Sequence, residues 1–289
     1  MSWQRIKERF RDLVVAVDAN APLMEPWERF RAAAEASADD PPYHLLGLLE
    51  ALEAERGARP RADLAILDHG CGGGLTLLYL AARGYANVWG VDILASSCAR
   101  WNRLMREVLG AEEDRFFTYD GVRLPIADAS IDVVFSQEVL EHVRPDVLEA
   151  YYAEERRVLR RGGLAVHGVP HRLTPFDSHT RTWFLHWVLP RGLWLKALQA
   201  MGRDVRTAEA ALFLRWPWVH RRLARRAFGS LEDRTAQRMM RLTSFDYYDG
   251  PVRLRRLLAR IVRAPVIGRP LCAVLTQFVM MDTVSRNVR

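Results

Sequence analysis

Glu138, Glu141 and His142 stand within five consecutive positions and have residue types that could do chemistry. If the run is helical, Glu141 at i+3 and His142 at i+4 share a face with Glu138. Two carboxylates and an imidazole can bind a hard divalent ion. They can equally hold the histidine in the tautomer that takes a proton from a hydroxyl. Packing and capping after a strand is the third reading of the same trio. Further along, His171, His179 and His186 are separated by eight and seven positions, with Asp177 between them. Those spacings match no compact zinc motif. His171 and His179 are candidate bases on a loop, or loop side chains in contact with solvent.

A second set of chemical residues lies earlier. Leu64, Ala65, Ile66 and Leu67 run into Asp68, followed by Gly70, Cys71, Gly72, Gly73 and Gly74, then the apolar run LTLLYLAARG. A short apolar run bounded by glycine reads as a buried parallel strand. Glycine permits the tight turn and lets backbone approach a ligand, and amides opening the next helix supply donors. The loop has no lysine, and an acid precedes the glycines, which suits a cationic or hydroxyl-rich ligand better than a pyrophosphate. The next strand, Ala86 to Val91, ends in Asp92 and Ile93, 20 residues after Gly72, about one strand–helix–strand unit. An acid there can accept both hydrogen bonds of a ribose diol, or cap the helix that follows. The third strand, Arg115 to Tyr119, ends in Asp120 and Gly121; the fourth, Ile131 to Phe135, leads into Ser136 and Gln137.

The elements that must position these residues follow. From Asp68 to Phe135 strands alternate with helices, the pattern of a parallel sheet covered on both faces. Ligands bind such sheets at the carboxyl ends of the strands, where Asp68, Asp92, Asp120 and Ser136 fall. A helix from Tyr151 to Arg161, closed by Gly162-Gly163, precedes a fifth strand, Leu164 to Val169. Residues 1–60 read as helical, with Trp3, Ile6, Phe10, Leu13 and Val14 on one face and Tyr43 to Arg56 a further helix that Gly57 ends. Residues 171–289 read as a loop, a helical insertion with a candidate amphipathic helix at Pro251 to Val262, and a closing strand, Ala273 to Ser285.

The Asp-x-Gly-x-Gly-x-Gly loop, Asp92, the Asp120-Gly121 segment with Leu124-Pro125, and the Leu-Arg-x-Gly-Gly turn before the fifth strand resemble the class I S-adenosylmethionine (SAM) methyltransferases. The resemblance covers about residues 60–170. It implies a doubly wound, mostly parallel seven-stranded sheet, a Rossmann-like methyltransferase fold, with an N-terminal helical cover over 1–60, a SAM-binding core over 61–170 and an acceptor side over 171–289. It implies that Asp68, Gly70, Cys71, Gly72 and Gly74 cradle the methionine part of SAM. Asp92 and Ile93 would hold the ribose, Asp120 and Gly121 the adenine, with Ser136 and Gln137 beside them. Glu-x-x-Glu-His at 138–142 is similar to the ubiquinone-biosynthesis O-methyltransferases, where it is associated with metal. The Pro170 to Pro190 segment is similar to some methyltransferases of polysaccharide clusters. The expected reaction is O-methylation of a small-molecule, glycan or lipid-linked acceptor, with S-adenosylhomocysteine as product and a divalent metal as an open alternative.

Charge bears on the acceptor. Residues 171–289 hold 22 Lys/Arg against 8 Asp/Glu, whereas residues 1–170 are net acidic. With Trp183, Trp187, Trp194, Trp216 and Trp218 among those arginines, an anionic membrane surface or anionic acceptor is one reading. An arginine-rich helical cap with core tryptophans is the other. A nucleic-acid modifier and a non-catalytic SAM-binding partner protein are the alternative functions. No Asn/Asp-Pro-Pro-Tyr/Phe follows the fourth strand, which argues against amino methylation of nucleic-acid bases. Three scattered cysteines, and no apolar run long enough to span a bilayer, give a reduced cytoplasmic setting as the expectation, or a peripheral one at the inner membrane face. Forty arginines against two lysines suggest a GC-rich bacterial genome.

Overall fold

The computed structural model describes residues 3–39, 41–203, 205–241, 260–262, 264–266 and 268–289. Five strands, β1 (Ile66–His69), β2 (Val88–Asp92), β3 (Phe116–Thr118), β4 (Ile131–Gln137) and β5 (Leu159–Val169), run parallel. Two more, β8 (Glu232–Asp233) and β9 (Met281–Arg286), complete a seven-stranded sheet in the order β3-β2-β1-β4-β5-β9-β8, with β9 antiparallel to both neighbours. The order reverses between β1 and β4, so a crevice opens there at the strands' carboxyl ends.

Period-two alternation sends neighbouring residues to opposite cores. Ile66, Val133 and Val166 join one apolar cluster, and Leu67, Val134 and Ala165 join the other. Burying both faces explains why these strands read as near-continuous apolar runs. Fully burying a side chain such as Leu67 stabilises by roughly 1.5–3 kcal/mol, so slipping the register by one residue is strongly disfavoured. The first face is covered by α1 (Trp3–Asp18), α2 (Met24–Glu35), α3 (Leu46–Arg56), α4 (Leu75–Ala82) and α5 (Ala95–Glu107). The second is covered by α6 (Leu148–Val158) and α10 (Pro217–Phe228).

After β5 the chain forms a hairpin, β6 (Phe176–Asp177) and β7 (Thr182–Trp183), then α7 (Leu185–Val188), α8 (Arg191–Ala200) and α9 (Arg206–Ala211). This insertion has its own small core, in which Trp194, Leu198, Val205, Ala208 and Leu212 are buried. Helices α11 (Thr235–Met240) and α12 (Gly268–Leu275) lead into β9.

Several expectations change. The sixth helix ends at Val158, and Gly162-Gly163 lies inside β5 rather than closing the helix. The reason is long range. Gly162 N–H donates to Asn287 O at 2.8 Å, and Asn287 N–H returns a bond to Gly163 O at 2.9 Å. The closing element from Ala273 is helical to Leu275 and becomes a strand only at Met281. Cys272 packs there with Tyr43, Met239 and Val262, and a short apolar run does not reveal its period. Residues 138–142 form a turn, not a helix, and Glu138 has φ +55°. The candidate helix at Pro251 to Val262 lies outside the described residues except for its last turn, 260–262. Among the described residues no helix is long and apolar enough to cross a membrane.

Candidate active site

The edge formed by the ends of β1, β2 and β3 is built mainly by backbone. Gly70 (φ +101°) and Gly74 (φ +81°) are packed so closely that a Cβ would meet Val139 or the Trp101 ring at 2.5 Å. Gly72, also left-handed, faces open space. The loop is therefore tight beneath and clear above, which is the shape a bound molecule needs. Asp92 links the loop to β2: its Oδ2 accepts Gly72 N–H at 2.7 Å and its Oδ1 accepts Leu94 N–H at 2.9 Å. Asp120 is exposed, and its Oδ1 accepts the amides of Val122 and Arg123. Those bonds, Arg123's first, hold its carboxyl below the usual range. Beside it Ile93 and Val122 are exposed apolar side chains, 63% and 66% accessible, and Gly121 lies against Ile93. An acid next to bare apolar surface suits a flat ring with an amino edge.

Asp68 is buried at the floor of the loop. Cys71 contributes through its backbone, its amide donating to Val91 O at 3.0 Å, while its thiol lies buried near Gly90. Ser136 is buried, with its hydroxyl accepting from Tyr151 at 3.0 Å, so it serves the core rather than the edge. Gln137, half-buried, pairs with Gly168 in the ladder. From above, α1 lays Phe10 against Trp101, ring centroids 5.4 Å apart, and over Gly73.

Beyond β4 and β5 a second group is built from side chains. Glu141, His142 and His179 bring one ligand-type atom each to within 4.8 Å of one another. Glu138, itself at φ +55°, brings no ligand-distance atom to this group, although its charge acts on all three members; His179 from the β6–β7 hairpin takes its place in the expected trio. His142 Nδ1 donates to Ala211 O at 2.6 Å, leaving Nε2 turned toward Glu141, 3.9 Å from its Oε1. His179 Nδ1 lies 3.2 Å from Asp177 Oδ1. Asp177, itself buried, also caps the turn by accepting from Thr180 N–H at 3.1 Å.

Glu141 is 1% accessible and neither carboxylate oxygen has a hydrogen-bond partner. Burial pushes its carboxyl up to about 8, so it is neutral over most of the ordinary range. Burial lowers His142, whereas the bond to Asp177 raises His179. His142 and His179 rings meet edge to face, centroids 5.0 Å apart. His171 is not in the group: buried, and pushed down to about 4 by that burial, it accepts Leu173 N–H at 3.2 Å. His186 is tied to Thr174 O.

Two partners here have weak sequence signals. Asp177 could be read from the Asp-x-x-Thr turn, whose side chain caps its own loop. The Ala211 carbonyl comes from 69 residues away and has no local signal.

Residues 67–167 match the methyltransferase domain family. The α/β core of this chain is a class I methyltransferase domain. Part of the chain is also similar to a ubiquinone biosynthesis O-methyltransferase of Parvibaculum lavamentivorans, 30% identical over 55% of this chain and 63% of that protein. An uncharacterized methyltransferase of Mycobacterium avium is 44% identical over 25% of this chain and 28% of that one. The chain thus spans less than two thirds of the length of these curated relatives. Among solved structures, geranyl diphosphate C-methyltransferase from Streptomyces coelicolor, in complex with Mg2+, geranyl diphosphate and S-adenosyl-L-homocysteine, overlaps at a TM-score of 0.48. It is 15% identical, over 84% of this chain and 77% of that one. The methyltransferase core accounts for the cradle, and residues 171–289 supply His179 and Ala211 to the second group.

Proposed function

We propose that this chain transfers the methyl group of S-adenosylmethionine to an oxygen of a small-molecule, glycan or lipid-linked acceptor, releasing S-adenosylhomocysteine. The observation that carries the reading is the cradle: an open Gly72 tied to Asp92, with Asp120 beside exposed Ile93 and Val122. SAM supplies an electrophilic methyl carbon when bound. Asp92 keeps acceptor capacity for a ribose diol, and Asp120 for an adenine amino group. The protein's further task is to hold the acceptor in line and draw off its proton. Glu141, His142 and His179 lie beyond β4 and β5, on the acceptor side, and are suited to that second task. The O-methyltransferase names of the relatives support an oxygen acceptor.

Calorimetric titration tests the cofactor half of this reading. S-adenosylhomocysteine should bind at one equivalent and NAD should not; tight NAD binding without the homocysteine signal overturns it. Labelled SAM incubated with acceptor fractions tests the other half. Label recovered as an alkali-stable methyl ether or a saponifiable ester supports oxygen transfer, and label on nitrogen or carbon overturns it.

A further inference from the structure

Many arginines of this chain pair with carboxylates, as Arg157 does with Glu154 and Arg160 with Asp132. Arg172, Arg191 and Arg215 spend their hydrogen bonds on backbone carbonyls instead. Arg172 donates to Leu189 O at 3.1 Å, Arg191 to the carbonyls of Leu212, Ala208 and Glu209, and Arg215 to those of Leu140 and Val143. The three line one cavity of about 180 Å³ with His186 and Trp194, and the rest of its lining is apolar. Among the described residues no carboxylate lines it. Burial pulls the Arg215 pKa down, and the nearby Tyr152 and Glu141 do not make up for it. Arg191 and Trp194 belong to the first turn of α8, the end of a helix that carries partial positive charge. Two donors here are idle. Trp194 is 4% accessible and its Nε1 has no hydrogen-bond partner among the described residues, and Arg172 Nε has none either. Buried N–H groups are normally paired, and an orphan costs free energy. His186 adds no charge near pH 7, since burial lowers its pKa and its Nε2 donates to Thr174 O.

We propose that this cavity binds a phosphate-type oxyanion, the anionic end of the methyl acceptor, through Arg172, Arg191, Arg215 and Trp194. Guanidinium groups match the oxygens of phosphate in geometry and bond them more strongly than neutral donors do. A small turn of the Trp194 and Arg172 side chains gives their idle N–H groups an oxygen of the ligand. The volume is below the roughly 300–1,000 Å³ of sites that enclose a drug-sized molecule. A phosphate-sized group therefore fits, and a second nucleotide does not. The cavity also borders the acid–histidine group. Arg215 holds the carbonyls of Leu140 and Val143, on either side of Glu141 and His142. Phe213, which lines the cavity, donates its amide to Glu141 O at 2.6 Å. An acceptor anchored here carries its anionic end beside the residues suited to draw off its proton. That link to the acceptor rests on the methyl-transfer reading above, whereas the anion cavity stands on its own residues.

The test titrates the purified full chain calorimetrically with inorganic phosphate, against chloride at equal ionic strength. One saturable site is expected. Arg172→Gln should weaken it about tenfold or more, the loss of a charge-assisted hydrogen bond, and Trp194→Phe, which keeps the ring and removes the N–H, about threefold to tenfold. S-adenosylhomocysteine binding should stay unchanged in both variants and certify folding. Arg203→Gln, an exposed arginine outside the cavity, should keep full phosphate affinity. No saturable site in the wild type, or full affinity kept in both cavity variants, overturns the proposal. An equal loss in Arg203→Gln also overturns it, because the attraction would then belong to the basic surface as a whole. Competition separates the sources of the anion. Displacement of phosphate by glycerol 3-phosphate alone marks a soluble acceptor, and displacement by phosphatidic acid vesicles alone marks a lipid headgroup. Displacement by neither overturns the assignment to a phosphate ester. Phosphate bound as expected without any S-adenosylhomocysteine binding would instead overturn the cofactor reading and leave the anion cavity standing.

Discussion

Glu155 and Glu141 are both buried glutamates, in opposite conditions. Glu155, on α6 behind the cradle, places Oε1 3.1 Å from His69 Nδ1 and Oε2 2.9 Å from His167 Nε2. His69 in turn bonds Tyr119 at 2.8 Å and stacks on Tyr151, 3.8 Å between centroids. Burial pushes the Glu155 carboxyl up, but the His167 and His69 imidazoles outweigh it and pull it down to about 2. Glu141, beyond β4, has no bond to either oxygen and is pushed up to about 8. The first has both carboxylate oxygens bonded, in a polar network that fixes strands β1 and β5 to a helix. The second is a buried group left unsatisfied, as stability is sacrificed at sites that serve something other than folding.

The contrast breaks if the two respond alike to substitution. Glu155→Ala leaves two buried imidazoles without their shared partner, and should cost about 3–5 kcal/mol in chemical denaturation. The same network sets an acid limit. A carboxyl lowered in the folded state adds stability above its unfolded value near 4.5, and that contribution disappears as pH falls toward about 2. Acid titration of the wild type should therefore show a loss over that window that Glu155→Ala lacks. A smaller effect is expected at the cradle, where Asp92→Ala should weaken S-adenosylhomocysteine binding by about 1–3 kcal/mol, the range for charged hydrogen bonds. Unchanged affinity would reduce Asp92 to a turn cap for Gly72 and Leu94.

Glu141→Gln, measured in chelator, should leave the melting temperature equal or higher by the equivalent of about 0.5–2 kcal/mol, as removal of a functional cost does. A fall as large as that of Glu155→Ala would erase the distinction between the two glutamates. The smallest effect concerns the hairpin, where Trp183 and Phe184 are 64% and 48% accessible. Trp183→Ser should change stability by no more than about 0.5 kcal/mol yet lower co-sedimentation with anionic vesicles. Equal sedimentation with anionic and neutral vesicles would assign the aromatics to the insertion's own surface.

The cradle could be read from the sequence because its determinants are local. Asp68 to Gly74 and Asp92 lie within one strand–helix–strand unit, and the glycines are required by φ and contact at their own positions. The group beyond β4 and β5 could not be read that way. His179 reaches Glu141 through a hairpin in which Arg181 and Phe184 are also left-handed, and Ala211 reaches His142 from the end of α9. Helical spacing places Glu138 with Glu141, but 138–142 is a turn, and Glu138 reaches the group through its charge without adding a ligand-distance atom to it. Gly162-Gly163 failed as a helix stop because its partner, Asn287, lies at the far end of the chain. Trp194 proved to be core and Trp183 surface, a division that no composition reveals.

The bond from Gly72 to Asp92 carries a thermodynamic consequence. Asp92 fastens the loop after β1 and the turn after β2 to each other before any ligand arrives. Their conformational freedom is removed when the chain folds, so a nucleoside ligand meets a surface with little left to order. Binding should then show a heat-capacity change close to that of the ligand's own buried apolar area. The large negative values that accompany folding of a segment around its ligand should be missing.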